Sequence, residues 1–302
     1  MSDISVRRPS RNRARLSVRI GNVGQRVVRG VYQRVFPAPH GKSLLFIFGC
    51  QRSGTSMLNR VLERDLRTHS YGEWGLAGPF RPRLMPYEQV RERIEDDPAW
   101  LVVVKPLVES QNARRLLDEF PSARAIWMYR GYEGVAQSDV ARFGAENSLK
   151  KLRRIIERDG THWSSEDVDD ETRDLVRDLC LAGMTGYAAA ALFWYVRNRL
   201  YFSQGLDRDP RVLLTKYEAL VTAPEEHLER IYRLVGMSPP KHTVAASVHT
   251  KSLRKGDGVG IEAPIAAVCG ALEKKLDRVL SKGDARLFGG GADADLPSER
   301  AK

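Results

Sequence analysis

Cysteine is scarce: Cys50, Cys180 and Cys269 are the only three in the chain. They are far apart, odd in number and form no CxxC pair, which argues against a disulfide framework and against a structural zinc site. A reducing, cytoplasmic setting is the expectation. Long apolar runs are missing as well. No stretch of about 18 uncharged apolar residues occurs, so no membrane-spanning helix is expected. The first residues lack the apolar core of a secretory signal. His162, His227, His242 and His249 show no metal-ligand spacing, and no metal site is expected. Acidic residues nearly vanish from residues 1–40, where nine arginines face only Asp3.

What is present is basic. The 302 residues carry a net charge of +11, which favours anionic ligands: phosphates, sulfates, acidic glycans or an anionic membrane surface. Residues 1–40 read as a basic arm. Val18, Ile20, Val23, Val27, Val28, Val31 and Tyr32 follow a loose helical spacing there. The arm is either a solvated tail, or else an interfacial helix on anionic lipid or a clamp on an acidic acceptor. Nucleic acid is the weaker partner, because aromatic interleaving and any recognition motif are missing.

From Ser43 the pattern becomes alternating strands and helices. Leu44–Gly49, Trp100–Lys105, Arg124–Tyr129 and Arg211–Lys216 are short apolar runs that read as strands covered on both faces. Helices are expected from about Thr55 to Asp65, Asn112 to Phe120, Tyr132 to Phe143, Gly183 to Gly205 and Pro264 to Leu280, and one starts at Pro224 and ends near Gly236. Residues 146–182 read as helices or loops over the mouth of a site. The fold class expected is α/β, a P-loop-like three-layer fold with a central parallel sheet flanked by helices. Its organisation is a basic arm at 1–40, one domain at 41–285 and a disordered tail at 286–302. Ligands of such sheets bind at the carboxyl ends of the strands.

The central motif is Gly49-Cys50-Gln51-Arg52-Ser53-Gly54-Thr55-Ser56, between a strand and a helix. Backbone N–H groups of such a loop and the helix N-terminus form an anion nest. The lysine that nucleotide triphosphatases need in this frame is replaced by Thr55. Kinase or NTPase chemistry would need that lysine from elsewhere, and a magnesium-binding carboxylate at a strand end, which is also missing. Arg52 offers a planar fork for a phosphate or sulfate oxygen.

The stretch FGCQRSGTSML resembles the 5′-phosphosulfate loop of sulfotransferases that use 3′-phosphoadenosine 5′-phosphosulfate (PAPS). The resemblance covers roughly residues 43–280. It is nearer the bacterial, Golgi-type and tyrosylprotein branch than the cytosolic aryl branch, whose catalytic histidine has no counterpart after Lys105. It implies sulfuryl transfer from PAPS, without a metal, to a hydroxyl of a carbohydrate, lipid, metabolite or tyrosine, leaving 3′-phosphoadenosine 5′-phosphate (PAP). Gln51, Arg52, Ser53, Gly54, Thr55 and Ser56 would hold the 5′ end. Arg130 and Ser138 would hold the 3′-phosphate. Arg254, Lys255 and Gly256 resemble the loop that closes over that phosphate. Tyr217, in Lys216-Tyr217-Glu218-Ala219-Leu220, would border the nucleotide and order the turn beneath it. Arg52 and Lys105 would stabilise the leaving oxygen. Glu73, after Gly72, matches the Gly-Glu dipeptide whose glutamate is the proposed base in the tyrosylprotein branch; His69 is its rival. A non-catalytic nucleotide-binding protein of the same fold is the remaining alternative.

Overall fold

The computed structural model describes residues 27–39, 41–78, 83–180, 183–240 and 260–288. Five strands, β1 (Ser43–Gly49), β2 (Thr68–Gly72), β3 (Leu101–Val104), β4 (Arg124–Tyr129) and β5 (Val212–Lys216), form one sheet in the order β2-β3-β1-β4-β5. All four neighbouring pairs are parallel. β1 lies in the middle, which explains its unbroken apolar run: both faces are covered.

Period-two alternation divides the core into two layers. Phe46, Phe48, Val102, Val104 and Trp127 face one side. There they pack under α4 (Ala113–Glu119), α5 (Tyr132–Phe143), α6 (Glu146–Ile156), α8 (Gly186–Ser203) and α11 (Ala263–Phe288). Leu45, Ile47, Val103, Ile126 and Met128 face the other. Their cover is α2 (Thr55–Leu62), α9 (Tyr217–Thr222) and α10 (Pro224–Leu234). Each of these large buried side chains contributes roughly 1.5–3 kcal/mol. The result is the three-layer α/β architecture expected.

The chain departs from the sequence reading in specific places. β2 is a fifth strand beyond the four expected; as an edge strand it buries only Thr68 fully and has no apolar run to mark it. Helix α3 (Tyr87–Glu95) was missed for a similar reason: it buries only Val90 and Ile94. Residues 146–182 contain α6 and α7 (Asp170–Leu179), the latter capped by Asp169, which accepts from the Thr172 N–H at 2.7 Å. α11 runs on to Phe288, past the boundary expected at 285. Residues 27–35 of the basic arm are helical (α1) and attached to the domain. Arg254, Lys255 and Gly256 lie outside the described residues, as does the tail beyond Phe288.

Candidate functional site

β1 delivers the chain to Gly49, which turns through Cys50 to Gly54 into α2. Two glycines are obligatory here. A Cβ on Gly49 would stand 2.1 Å from the Met128 carbonyl oxygen, and one on Gly54 would stand 2.2 Å from the Tyr217 ring. Both have positive φ, 133° and 88°. Arg52 also sits in the left-handed region, at φ 68°, a strain that folds store at binding loops. The loop is pinned from behind: the Gly49 N–H donates to Ser110 Oγ at 3.1 Å, and that hydroxyl donates to the Leu107 carbonyl at 2.8 Å.

The start of α2 is open for an anion. Gly54 supplies no side-chain cap, so the first N–H groups of the helix lack a partner from it. Gln51 Oε1 and Ser53 Oγ are buried without a hydrogen-bond partner among the described residues, which suits a ligand that completes them. Cys50 takes no part as a nucleophile, since burial pushes its thiol up to about 12.

β4 ends at Tyr129 and presents Arg130. Its guanidinium lies 4.8 Å over the Tyr217 ring, and its Nε stands 3.9 Å from Glu218 Oε1. The backbone there is held by Trp194 Nε1–H donating to the Arg130 carbonyl at 2.8 Å and by the Gly131 N–H donating to Glu218 Oε1 at 3.2 Å. The Tyr217-Glu218 pair therefore orders the tip of β4 as well as covering Gly54. Ser138, two turns into α5, accepts from Arg52 Nε at 3.0 Å. The loop and the Arg130–Ser138 pair thus meet, although separated by some eighty residues of sequence.

These residues line one cleft of about 640 Å³, which contains Gln51, Arg52, Gly54, Thr55, Ser56, Glu73, Arg130, Ser138 and Tyr217. That volume is within the roughly 300–1,000 Å³ of small-molecule sites. It sits at the carboxyl ends of β1 and β4, as parallel sheets dictate. Ser53 and Lys105 are buried and do not line it. Lys105 Nζ pairs with Glu73 Oε2 at 3.2 Å. Glu73 is placed by the end of β2, where the Ser70 hydroxyl donates to Asn59 Oδ1 of α2 at 2.6 Å and accepts from the Gly72 N–H at 3.1 Å. Behind Lys105, buried Arg197 donates to the Leu107 carbonyl at 3.0 Å and to Gln111 Oε1 at 3.1 Å. Burial lowers its pKa to about 10, so it remains a cation.

His69 stands elsewhere. It pairs with buried Asp97 and lines a second cavity of about 630 Å³ with Arg29, Glu63, Tyr71 and Arg93. Burial alone would raise the Asp97 carboxyl, but the hydrogen bonds from His69 and from the Ala99 N–H outweigh it and hold Asp97 below the usual range.

Sequence reasoning missed Met57, Arg60, Arg64, Leu107 and Phe143, all of which line the cleft. The signal for two of them was available. Ser56, Arg60 and Arg64 are spaced by four, which puts them on one face of the helix expected after the Gly49–Ser56 loop. Among the described residues no group of His, Cys, Asp and Glu is arranged to hold a metal ion.

No protein-family model matches the chain, and no curated protein matches it. The solved structures it is similar to include sulfotransferases and a retinol dehydratase. A sulfotransferase domain from the Synechococcus PCC 7002 olefin synthase shares 16% identity over 79% of this chain and 98% of that one, with a TM-score of 0.42. A sulfotransferase from Alicyclobacillus acidocaldarius shares 15% over 80% of this chain and 95% of that one, with a TM-score of 0.45. Mouse sulfotransferase SULT7A1 complexed with PAP shares 13% over 87% of this chain and 93% of that one, with a TM-score of 0.36.

Proposed function

We propose that this chain is a PAPS-dependent sulfotransferase that moves a sulfuryl group to a hydroxyl of a carbohydrate, lipid or small-molecule acceptor. The observation that carries the reading is the convergence of the Gly49–Ser56 loop, Arg130 and Ser138 on one cleft that is also lined by Glu73, the partner of buried Lys105.

PAPS supplies an activated sulfuryl group and a stable phosphate leaving group. The backbone N–H groups at the start of α2, with Thr55 and Ser56, hold the 5′-phosphosulfate. Arg130 and Ser138 take the 3′-phosphate, and Arg130 keeps its place on the Tyr217 ring. Glu73 accepts the proton of the attacking acceptor hydroxyl. As the new oxygen–sulfur bond forms and the old one breaks, the electron pair passes to the phosphate oxygen, and Lys105 with Arg52 steadies that charge. Lys105 is pinned against Glu73 before binding, so one carboxylate both stores the cation and awaits the proton. Leu107 and Phe143 give the cleft an apolar border that limits water. The reading places the enzyme in the cytoplasm, with the basic arm in contact with an anionic membrane.

The direct test is transfer of labelled sulfate from PAPS into a fractionated extract, repeated with EDTA. Transfer that survives chelation is the expected outcome. Label transfer that requires Mg²⁺, or ATP turnover in its place, would return the chain to the kinase and NTPase alternative.

A further inference from the structure

Helix α1 is amphipathic the wrong way round for a helix packed on a domain. At about 100° per residue, Val27, Val28, Val31 and Val35 share one face, and Arg29 and Gln33 share the opposite one. The polar face is the buried one: Arg29 and Gln33 are 9% and 5% exposed. Arg29 Nη1 donates to Glu63 Oε1 at 3.3 Å, its Nη2 donates to the Glu63 carbonyl, and Gln33 Nε2 donates to the Leu66 carbonyl at 2.9 Å. The apolar face is turned outward, with Val27, Val28, Val31, Val35 and, just past the helix, Phe36 between 53% and 61% exposed. Of the nine exposed large apolar residues among the described residues, five are in this one segment. A solvated arm gains nothing from that arrangement, because apolar area left in water costs about 25 cal/mol per Å².

We propose that this face is a docking surface for an anionic lipid bilayer, with Val27, Val28, Val31, Val35 and Phe36 entering the interfacial region. Charge selects the partner. Residues 1–40 hold nine arginines and one acid, and exposed Arg34 flanks the valine face. An apolar stripe bordered by arginine is the composition of an interfacial helix, and a polybasic segment adjoining it adds attraction to anionic headgroups. A protein partner or second copy with an apolar patch would not call for that charge. Trp100 lies at the same edge, its Nε1–H donating to the Phe36 carbonyl at 2.7 Å, as an interfacial tryptophan does with one polar and one apolar side. The surface is also tied to the cleft. Glu63, which holds Arg29, is followed directly by Arg64, which lines the cleft. Docking would thus orient the cleft relative to the bilayer.

The test uses the full chain and vesicle flotation, and needs neither nucleotide nor turnover, so its result is separate from that of the sulfuryl-transfer assay. Vesicles of phosphatidylcholine with phosphatidylserine at about a third of the lipid should carry the protein, and pure phosphatidylcholine should carry roughly tenfold less. The double variant Val28→Glu/Val31→Glu should lose about tenfold or more of the binding, with unchanged thermal unfolding because both positions are exposed. Absence of binding by the wild type, equal binding to uncharged vesicles, or full binding by the double variant would each overturn the proposal. So would light scattering that shows a dimer which the same two substitutions split, since the face would then belong to a second copy.

Discussion

Two cavities of nearly equal size, about 640 and 630 Å³, open on either side of α2 and β2, and their linings differ in charge. The first gathers Arg52, Arg60, Arg64 and Arg130 against the single carboxylate of Glu73. The second mixes Arg29 and Arg93 with Glu63, Asp96 and Asp97, and holds two internal pairs: Arg29 with Glu63, and His69 with Asp97. Equal volume therefore carries unequal chemistry. A cavity becomes an anion site when it concentrates one sign of charge around open backbone donors, and it is structural when its charges are already paired.

The comparison breaks most readily at Glu73. Glu73→Gln should lower turnover roughly 10²–10⁴-fold while nucleotide binding measured by calorimetry stays intact. A near-normal rate would remove Glu73 from the chemistry. Arg130→Ala should come next, weakening PAP binding by about 10–100-fold, as the loss of a charge-assisted contact does, and 5′-AMP binding much less. Equal losses for both ligands would mean that the 3′-phosphate lies elsewhere.

The smallest effect should come from the second cavity. His69→Ala should leave turnover within about threefold of the wild type, whereas a catalytic base would cost at least ~10²-fold. Its mark should be on stability. Asp97 is held below the unfolded carboxylate value of about 3.9. Its contribution is therefore complete above that pH and is lost as the pH falls through the lower, folded value. The stability gap between wild type and His69→Ala should narrow as denaturation is followed from neutral pH to below about pH 4. A gap independent of pH would show that the His69–Asp97 pair contributes nothing through charge.

The same two regions separate what the sequence reveals from what it conceals. β1, β3 and β4 are apolar runs with both faces covered, β5 keeps an apolar run although it is an edge strand, and β4 and α5 fall on the residues expected. The cleft residues were legible because loop, strand tip and helix face occur in fixed order, and a parallel sheet brings strand ends together. β2 and α3 were not, because β2 has no apolar run and α3 buries only two residues, too few to show a period. The rivalry between His69 and Glu73 could not be settled from spacing. The two are four residues apart around an edge strand, and the irregular register between Ser70 and Gly72 decides how the strand leads into Glu73. That Arg197 is an interior cation holding the Leu107 carbonyl and Gln111 is hidden in the sequence by its place in an apolar helix.

The contact between Gly54 and Tyr217 reaches further than the cleft. Tyr217 follows Lys216, whose ammonium is held by Glu273 at 3.2 Å and Asp277 at 2.7 Å on α11, and Asp277 also accepts from the Tyr129 hydroxyl at 2.8 Å beside Arg130. The Gly49–Ser56 loop thus leans, through Tyr217 and Lys216, on a helix from the last part of the sequence. Its curvature is inherited through a rigid strut rather than written in the eight loop residues alone, and a loop transplanted without that strut would keep its glycines and lose its shape.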